Sequence, residues 1–129
     1  MVRLAVFLWA FPNTLLGLML APVALATGGR VRRVCGALEI YGGGVAWLLR
    51  RAVPLAGGAA ALTLGHVVLG RSANVLDRCR AHERVHVRQY ERWGPLFIPA
   101  YLAAGAVAAC RGRDPYRDNP FEVEAFREQ

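Results

Sequence analysis

One pentapeptide, His82-Glu83-Arg84-Val85-His86, does most to limit what this chain can fold into, because its spacing has chemical meaning on a helix. Residues 77–93 supply that helix: Cys79, His82, His86, Tyr90 and Trp93 recur at intervals of three and four, the stripe of a core-facing helix. Four residues make slightly more than one turn, so the two imidazoles sit one above the other, and Glu83 lies about 100° round from His82. Two neutral imidazoles suit a zinc ion and leave room for a third donor and a water, with a carboxylate in reach of that water. The spacing therefore predicts metal-assisted hydrolysis, with His82 and His86 as ligands and Glu83 as general base. The competing reading is an amphipathic helix whose histidines are structural. Against it stands Glu83, a carboxylate beside a buried stripe, which is costly there unless ionised and partnered.

The rest of the composition narrows the setting. A chain of 129 residues is one domain, and at 55% hydrophobic it has apolar surface left over once a core is built. All 16 basic residues are arginine, which with abundant Ala and Gly fits GC-rich coding, and the net charge of +7 is dispersed along the chain. Dispersed arginines in an oily sequence favour anionic lipid headgroups as a partner over nucleic acid. Cys35, Cys79 and Cys110 are odd in number with no C-x-x-C, which argues against a disulfide framework or a thiolate zinc site and fits a reducing compartment.

Residues 4–26 carry no charge and are long enough to cross a hydrocarbon core of about 30 Å. A secretory signal cleaved after Ala24-Leu25-Ala26 and a buried helix interrupted at Pro12-Asn13 compete with a membrane anchor, which is the reading taken here. Arg30, Arg32 and Arg33 after the segment outnumber Arg3 before it, so the remaining chain is expected on the cytoplasmic side. The expected division is residues 1–29 as an N-terminal apolar segment and 30–129 as the domain.

From residue 31 to 72 the pattern turns to short β-like runs separated by glycine. Val31 to Val34 and Ala37 to Tyr41 flank Cys35-Gly36 as a hairpin ended by Gly42-Gly43-Gly44, and residues 60–69 (AALTLGHVVL) read as one further strand. Val45 to Arg51 reads as a helical turn closed by Pro54, with Gly57-Gly58 as a joint. A small antiparallel sheet is expected before the metal helix. His66, inside the third run, is either a histidine held by core hydrogen bonds or a second-tier catalytic candidate reaching toward substrate.

Asp77 or Asn74 is expected to cap the helix that carries the metal motif, and Gly94-Pro95 to end it. Arg80, Arg84, Arg88 and Arg92 form a stripe beside the histidine face, solvated by default and otherwise in contact with acidic lipid. Residues 95–110 are uncharged but short for a span, and read as a helix packed on the first apolar segment or dipped into the interface.

A third metal donor must fold back from elsewhere, and residues 113–129 offer it. Asn119-Pro120 is a helix start, which places Glu122 one turn in. N-x-x-E is also a capping box, in which Glu122 would bond back to the Asn119 amide. Glu122 as ligand competes with that capping role, and Glu124 is the fallback ligand on a different face.

His82-Glu83-Arg84-Val85-His86, followed by Glu122-Val123-Glu124-Ala125, resembles the zincin metallopeptidases of the gluzincin type, in which a Glu of an E-x-x-A-D element on a later helix completes the site. Residues 63–126 also resemble a group of small bacterial membrane-associated proteins with that motif. The resemblance covers about half the chain. It implies His82, His86 and Glu122 as zinc ligands, Glu83 as general base, and an α+β zincin-like fold: small antiparallel sheet, H-E-x-x-H helix, apolar helix, C-terminal ligand helix. It departs at Phe126, where the family element has an Asp that orients a ligand histidine; Asp118 or Asn119 is the expected substitute. The expected function is a membrane-associated zinc metallopeptidase acting on peptide or protein substrates. An inactive zinc-binding membrane scaffold or sensor, and a small membrane protein without metal, are the competing readings.

Overall fold

The computed structural model describes residues 2–34, 36–51 and 59–129, with the side chains of residues 2 and 3 excepted. Cys35, Pro54 and Gly57-Gly58, assigned above to a turn, a helix stop and a joint, lie outside the described residues. Among the described residues, six helices and four strands follow in the order α1 (Val2–Leu18), α2 (Ala21–Ala26), β1 (Arg30–Val34), β2 (Ala37–Tyr41), α3 (Gly43–Arg51), β3 (Ala61–Leu64), β4 (Val67–Gly70), α4 (Ala73–Trp93), α5 (Phe97–Cys110) and α6 (Pro120–Glu128). A 3-10 turn, Gly94–Leu96, joins α4 to α5.

The sheet is mixed, with strand order β1-β2-β4-β3, rather than antiparallel throughout. The β1–β2 and β3–β4 hairpins are antiparallel, but β2 and β4 run parallel, with Ile40 opposite Leu69. Residues 60–69 look like one strand because β4 is buried on both faces and so loses the alternation of a half-exposed strand. The run is in fact a hairpin, turned at Gly65, whose φ of 63° is left-handed. A β-carbon at Gly65 would meet the side chain of Thr14, so the same glycine lets α1 approach the sheet.

Side-chain alternation gives the sheet two faces. Ile40, Val67 and Leu69 face one way and meet α2 and α3 through Ala24, Val45 and Leu49. Ala37 and Val68 face the other way and meet α4 through Leu76 and Val87. A third cluster, Ala10, Tyr90 and Phe97 with Tyr101 and Phe121 around it, joins α1, α4, α5 and α6 beyond the sheet edge.

Residues 4–26 do not form one free-standing rod. The helix continues through Pro12, breaks after Leu18 and resumes as α2. One side of α1 is built into the domain: Trp9 Nε1 donates to Arg92 O (3.3 Å), Asn13 Nδ2 to Gly94 O (2.8 Å), and the Thr14 hydroxyl accepts from the His66 amide (3.0 Å). The opposite stripe, Leu4, Leu8, Phe11 and Leu15, is between 46% and 64% exposed. Among the described residues two helical stretches are apolar and long enough to cross a membrane, Leu4–Ala26 and Ala73–Cys110. The second bends at Gly94 and owes its apolar character to α5, since α4 carries the arginine stripe.

Candidate metal centre

The helix α4 begins four residues before Asp77. Its cap is Ser72, whose hydroxyl accepts from the Val75 amide at 3.3 Å, and not Asn74 or Asp77. Asp77 is occupied by Arg32 (2.9 Å) and Arg80 (2.8 Å). Those two arginines also clamp Glu39, a buried carboxylate on the α4 side of β2, at 2.7 and 3.0 Å. This ion cluster ties β1 and β2 to the first turns of α4 and so fixes which face of that helix lies over the sheet. The buried face comprises Leu76, His82, Glu83, Val85, His86, Val87, Gln89 and Tyr90. Trp93, expected on the stripe, is 42% exposed where the helix runs past the sheet.

On that face His82 Nε2 and His86 Nε2 stand 3.2 Å apart. Glu122 closes the group, with Oε2 3.0 Å from His82 and Oε1 3.2 Å from His86. All three side chains are buried. Glu122 is free to do this because Asn119 caps α6 alone: its Oδ1 accepts from the Phe121 amide (3.0 Å), while its own amide donates to Tyr116 O (3.1 Å). The capping-box role is thereby filled without Glu122. Glu124 points elsewhere, onto Gln89 (2.8 Å) and Arg92 (2.6 Å).

Four donors arranged tetrahedrally about 2.0–2.1 Å from a zinc ion lie about 3.3 Å from one another. The two imidazole nitrogens, 3.2 Å apart, match one such edge, and the Glu122 carboxylate meets them with one oxygen each, at 3.0 and 3.2 Å, so that one ligand atom from each of the three residues lies within 4.8 Å of the others. His82, His86 and Glu122 can therefore hold a metal ion. The electrostatics favour a cation. Burial works against a charge on Glu122, but His82, His86 and the Tyr101 hydroxyl outweigh it and hold the carboxyl down to about 2. Burial likewise opposes the imidazolium forms, yet Glu122 raises both histidines above their ordinary value.

Glu83 is 6% exposed and sits beside this group. Burial pushes its carboxyl up, against the pull of His86 and of the Thr63 hydroxyl, which donates to Oε2 at 2.6 Å. Thr63 reaches it because β3 is the sheet edge beside α4 and Thr63 faces that helix. Tyr90 donates to Thr63 O (2.8 Å) and pins the same residue from below.

His66, Asp118 and Asn119 are committed to other contacts, whereas Tyr101 joins the group through Glu122. His66 is stacked on Phe7 with ring centroids 4.1 Å apart, its Nε2 lies 3.2 Å from Glu91, and its Nδ1 is buried without a partner. It is thus not brought into the His82–His86–Glu122 group. Tyr101 donates to Glu122 Oε1 at 2.8 Å. Neither substitute considered for the family aspartate reaches a ring: Asp118 accepts from the Asp114 amide, and Asn119 donates to Tyr101 O. At the Asp position itself the Phe126 ring lies against His82, centroids 4.5 Å apart. The ring nitrogens are held instead by two glutamines, His82 Nδ1 by Gln129 Oε1 (3.1 Å) and His86 Nδ1 by Gln89 Oε1 (2.8 Å). Sequence reasoning passed over Gln89, although a residue three positions after His86 shares its face of the helix.

Comparison of the chain with protein-family models, with curated proteins and with solved structures finds no match.

Proposed function

We propose that this protein is a membrane-associated zinc hydrolase of the zincin type, cleaving peptide bonds in peptide or protein substrates. The observation that carries the reading is the meeting of His82, His86 and Glu122 with Glu83 buried alongside. When bound, zinc supplies a Lewis acid and lowers the pKa of its water toward neutrality. The chain supplies the proton handling. Glu83, with a raised pKa and Oε2 fixed by Thr63, is poised to take a proton from water and give it to the leaving amine. Tyr101 holds Glu122 so that both of its oxygens face the rings.

Membrane association is supported by the outward stripe of α1, which the fold leaves bare while the other side of the helix is packed. Leu4, Leu8, Phe11 and Leu15 would face acyl chains, and the exposed Arg30 and Arg33 after α2 suit anionic headgroups on the cytoplasmic side. The domain then lies against the bilayer, not on a tether, because α1 belongs to its core.

The test is hydrolysis of unstructured peptides by the purified protein, with and without a chelator, in the presence and absence of anionic vesicles. Chelator-sensitive turnover supports the reading. One zinc per chain with no turnover on a broad peptide library would replace it with a zinc-binding scaffold or sensor, and no zinc at all would remove the metal.

A further inference from the structure

Gln89 lies between the two arms of the metal group. It is fully buried, and its amide is engaged at both ends: Nε2 stands 2.9 Å from Phe121 O and 2.8 Å from Glu124 Oε1, while Oε1 stands 2.8 Å from His86 Nδ1. A carbonyl and a carboxylate can only accept, so the NH₂ must face α6 and the oxygen must face the histidine. His86 Nδ1 then has to carry a hydrogen, so that in the neutral ring the Nε2 lone pair is the one directed at His82 and Glu122. The same NH₂ grips α6 on either side of Glu122, at Phe121 and Glu124.

We propose that Gln89 is the positioning residue of this centre: one amide both selects the tautomer in which His86 ligates through Nε2 and docks the helix that brings Glu122. The functional meaning rests on the metal reading above, whereas the tautomer and the docking belong to the metal-free chain. Metallopeptidases with the resembling motif orient a ligand histidine by a carboxylate. Here Phe126 stands at that position, and the orienting group comes from α4 itself. Gln89 touches neither substrate nor metal and acts only through His86 and α6.

The test begins with imidazole ¹⁵N NMR on metal-free wild-type protein, at a pH high enough to remove the second ring proton that Glu122 favours, where His86 is expected as the Nδ1–H tautomer. In Gln89→Met, with the fold checked by circular dichroism, the Nε2–H form should appear, and zinc measured against a chromophoric chelator should bind about 10–100-fold more weakly. Gln89→Glu keeps an acceptor at Nδ1 but sets a carboxylate against Phe121 O and Glu124. It should preserve the tautomer while amide exchange in residues 120–125 accelerates. A loss that came only from disturbed packing would not sort in this way. A neutral Nε2–H tautomer of His86 in the wild type, or unchanged zinc affinity in folded Gln89→Met, would overturn the proposal. If Gln89→Met does not fold, the wild-type tautomer and the Gln89→Glu exchange pattern decide. Wild-type protein showing the Nδ1–H tautomer but taking up no zinc would overturn the metal reading and leave the control of His86 by Gln89 in place.

Discussion

His82 Nε2 stands 3.2 Å from His86 Nε2, a separation at which two facing lone pairs repel unless a proton or a cation lies between them. The pair is one turn apart on α4, and the sheet, the Glu39 ion cluster and Gln89 all hold that helix face in register. Glu122 adds the charge that a cation would balance.

Replacing Glu122 should separate the ligand reading from every capping alternative. Glu122→Ala is expected to lose zinc by more than the 10–100-fold typical of an outer hydrogen-bond partner, while Glu124→Ala stays close to wild type. Elemental analysis of the purified variants reads this directly. Zinc retained in Glu122→Ala and lost in Glu124→Ala would reverse the assignment.

The proton-handling role proposed for Glu83 predicts a variant that binds metal without using it. Glu83→Gln should keep wild-type zinc content and lose about 10²–10⁴-fold in turnover. Thr63→Val removes the 2.6 Å hydrogen bond to Oε2 at nearly constant volume and should lower turnover by less, with metal content unchanged. Full peptide hydrolysis by Glu83→Gln would take that residue out of the mechanism.

Two glycines form a controlled pair for the packing of α1. Gly36 and Gly65 both have left-handed backbones, with φ of 79° and 63°, but a β-carbon meets nothing within 4 Å at Gly36 and meets Thr14 at Gly65. Gly36→Ala should cost only the backbone strain, about 1–2 kcal/mol. Gly65→Ala should cost clearly more, because α1 has to move away. Urea midpoints of the two variants compare them, and equal values would mean that α1 adjusts freely.

Removal of residues 1–26 provides a fourth check. A tethered anchor could be cut away to leave a folded domain, but here Trp9, Asn13 and Thr14 bond to Arg92, Gly94 and His66, and Phe7 stacks on His66. The shortened chain should therefore fail to give a cooperative unfolding transition even in mild detergent. A sharp transition with wild-type near-ultraviolet circular dichroism would show α1 to be dispensable.

The residues of the metal group were legible in the sequence because H-E-x-x-H and the Asn119-Pro120 helix start are local patterns, each set by the geometry of one helix. Ligand and cap could not be separated at Glu122 from spacing, since the choice depends on where the Asn119 amide goes, and it goes to Tyr116. The β1–β2 hairpin was readable from two short β-like runs set between glycines. The split of residues 60–69 was not, because a strand covered on both faces and a two-strand hairpin present the same unbroken apolar run, and only Gly65 marks the turn. The parallel pairing of β2 with β4 joins segments separated by α3 and β3, so no local pattern encodes it. Gln89 stayed hidden because a glutamine on a helix face is ordinary until its acceptors are known.

The bonds from α1 to the end of α4 link residues 81 and 83 positions apart. During synthesis at about 5–20 residues per second, α1 leaves the ribosome several seconds before Arg92 and Gly94 exist. For that interval Trp9 and Asn13 lack their partners, although Thr14 can already meet His66. The first helix is thus sealed in place only when the last turn of α4 has been made, which makes assembly order part of what the first segment encodes.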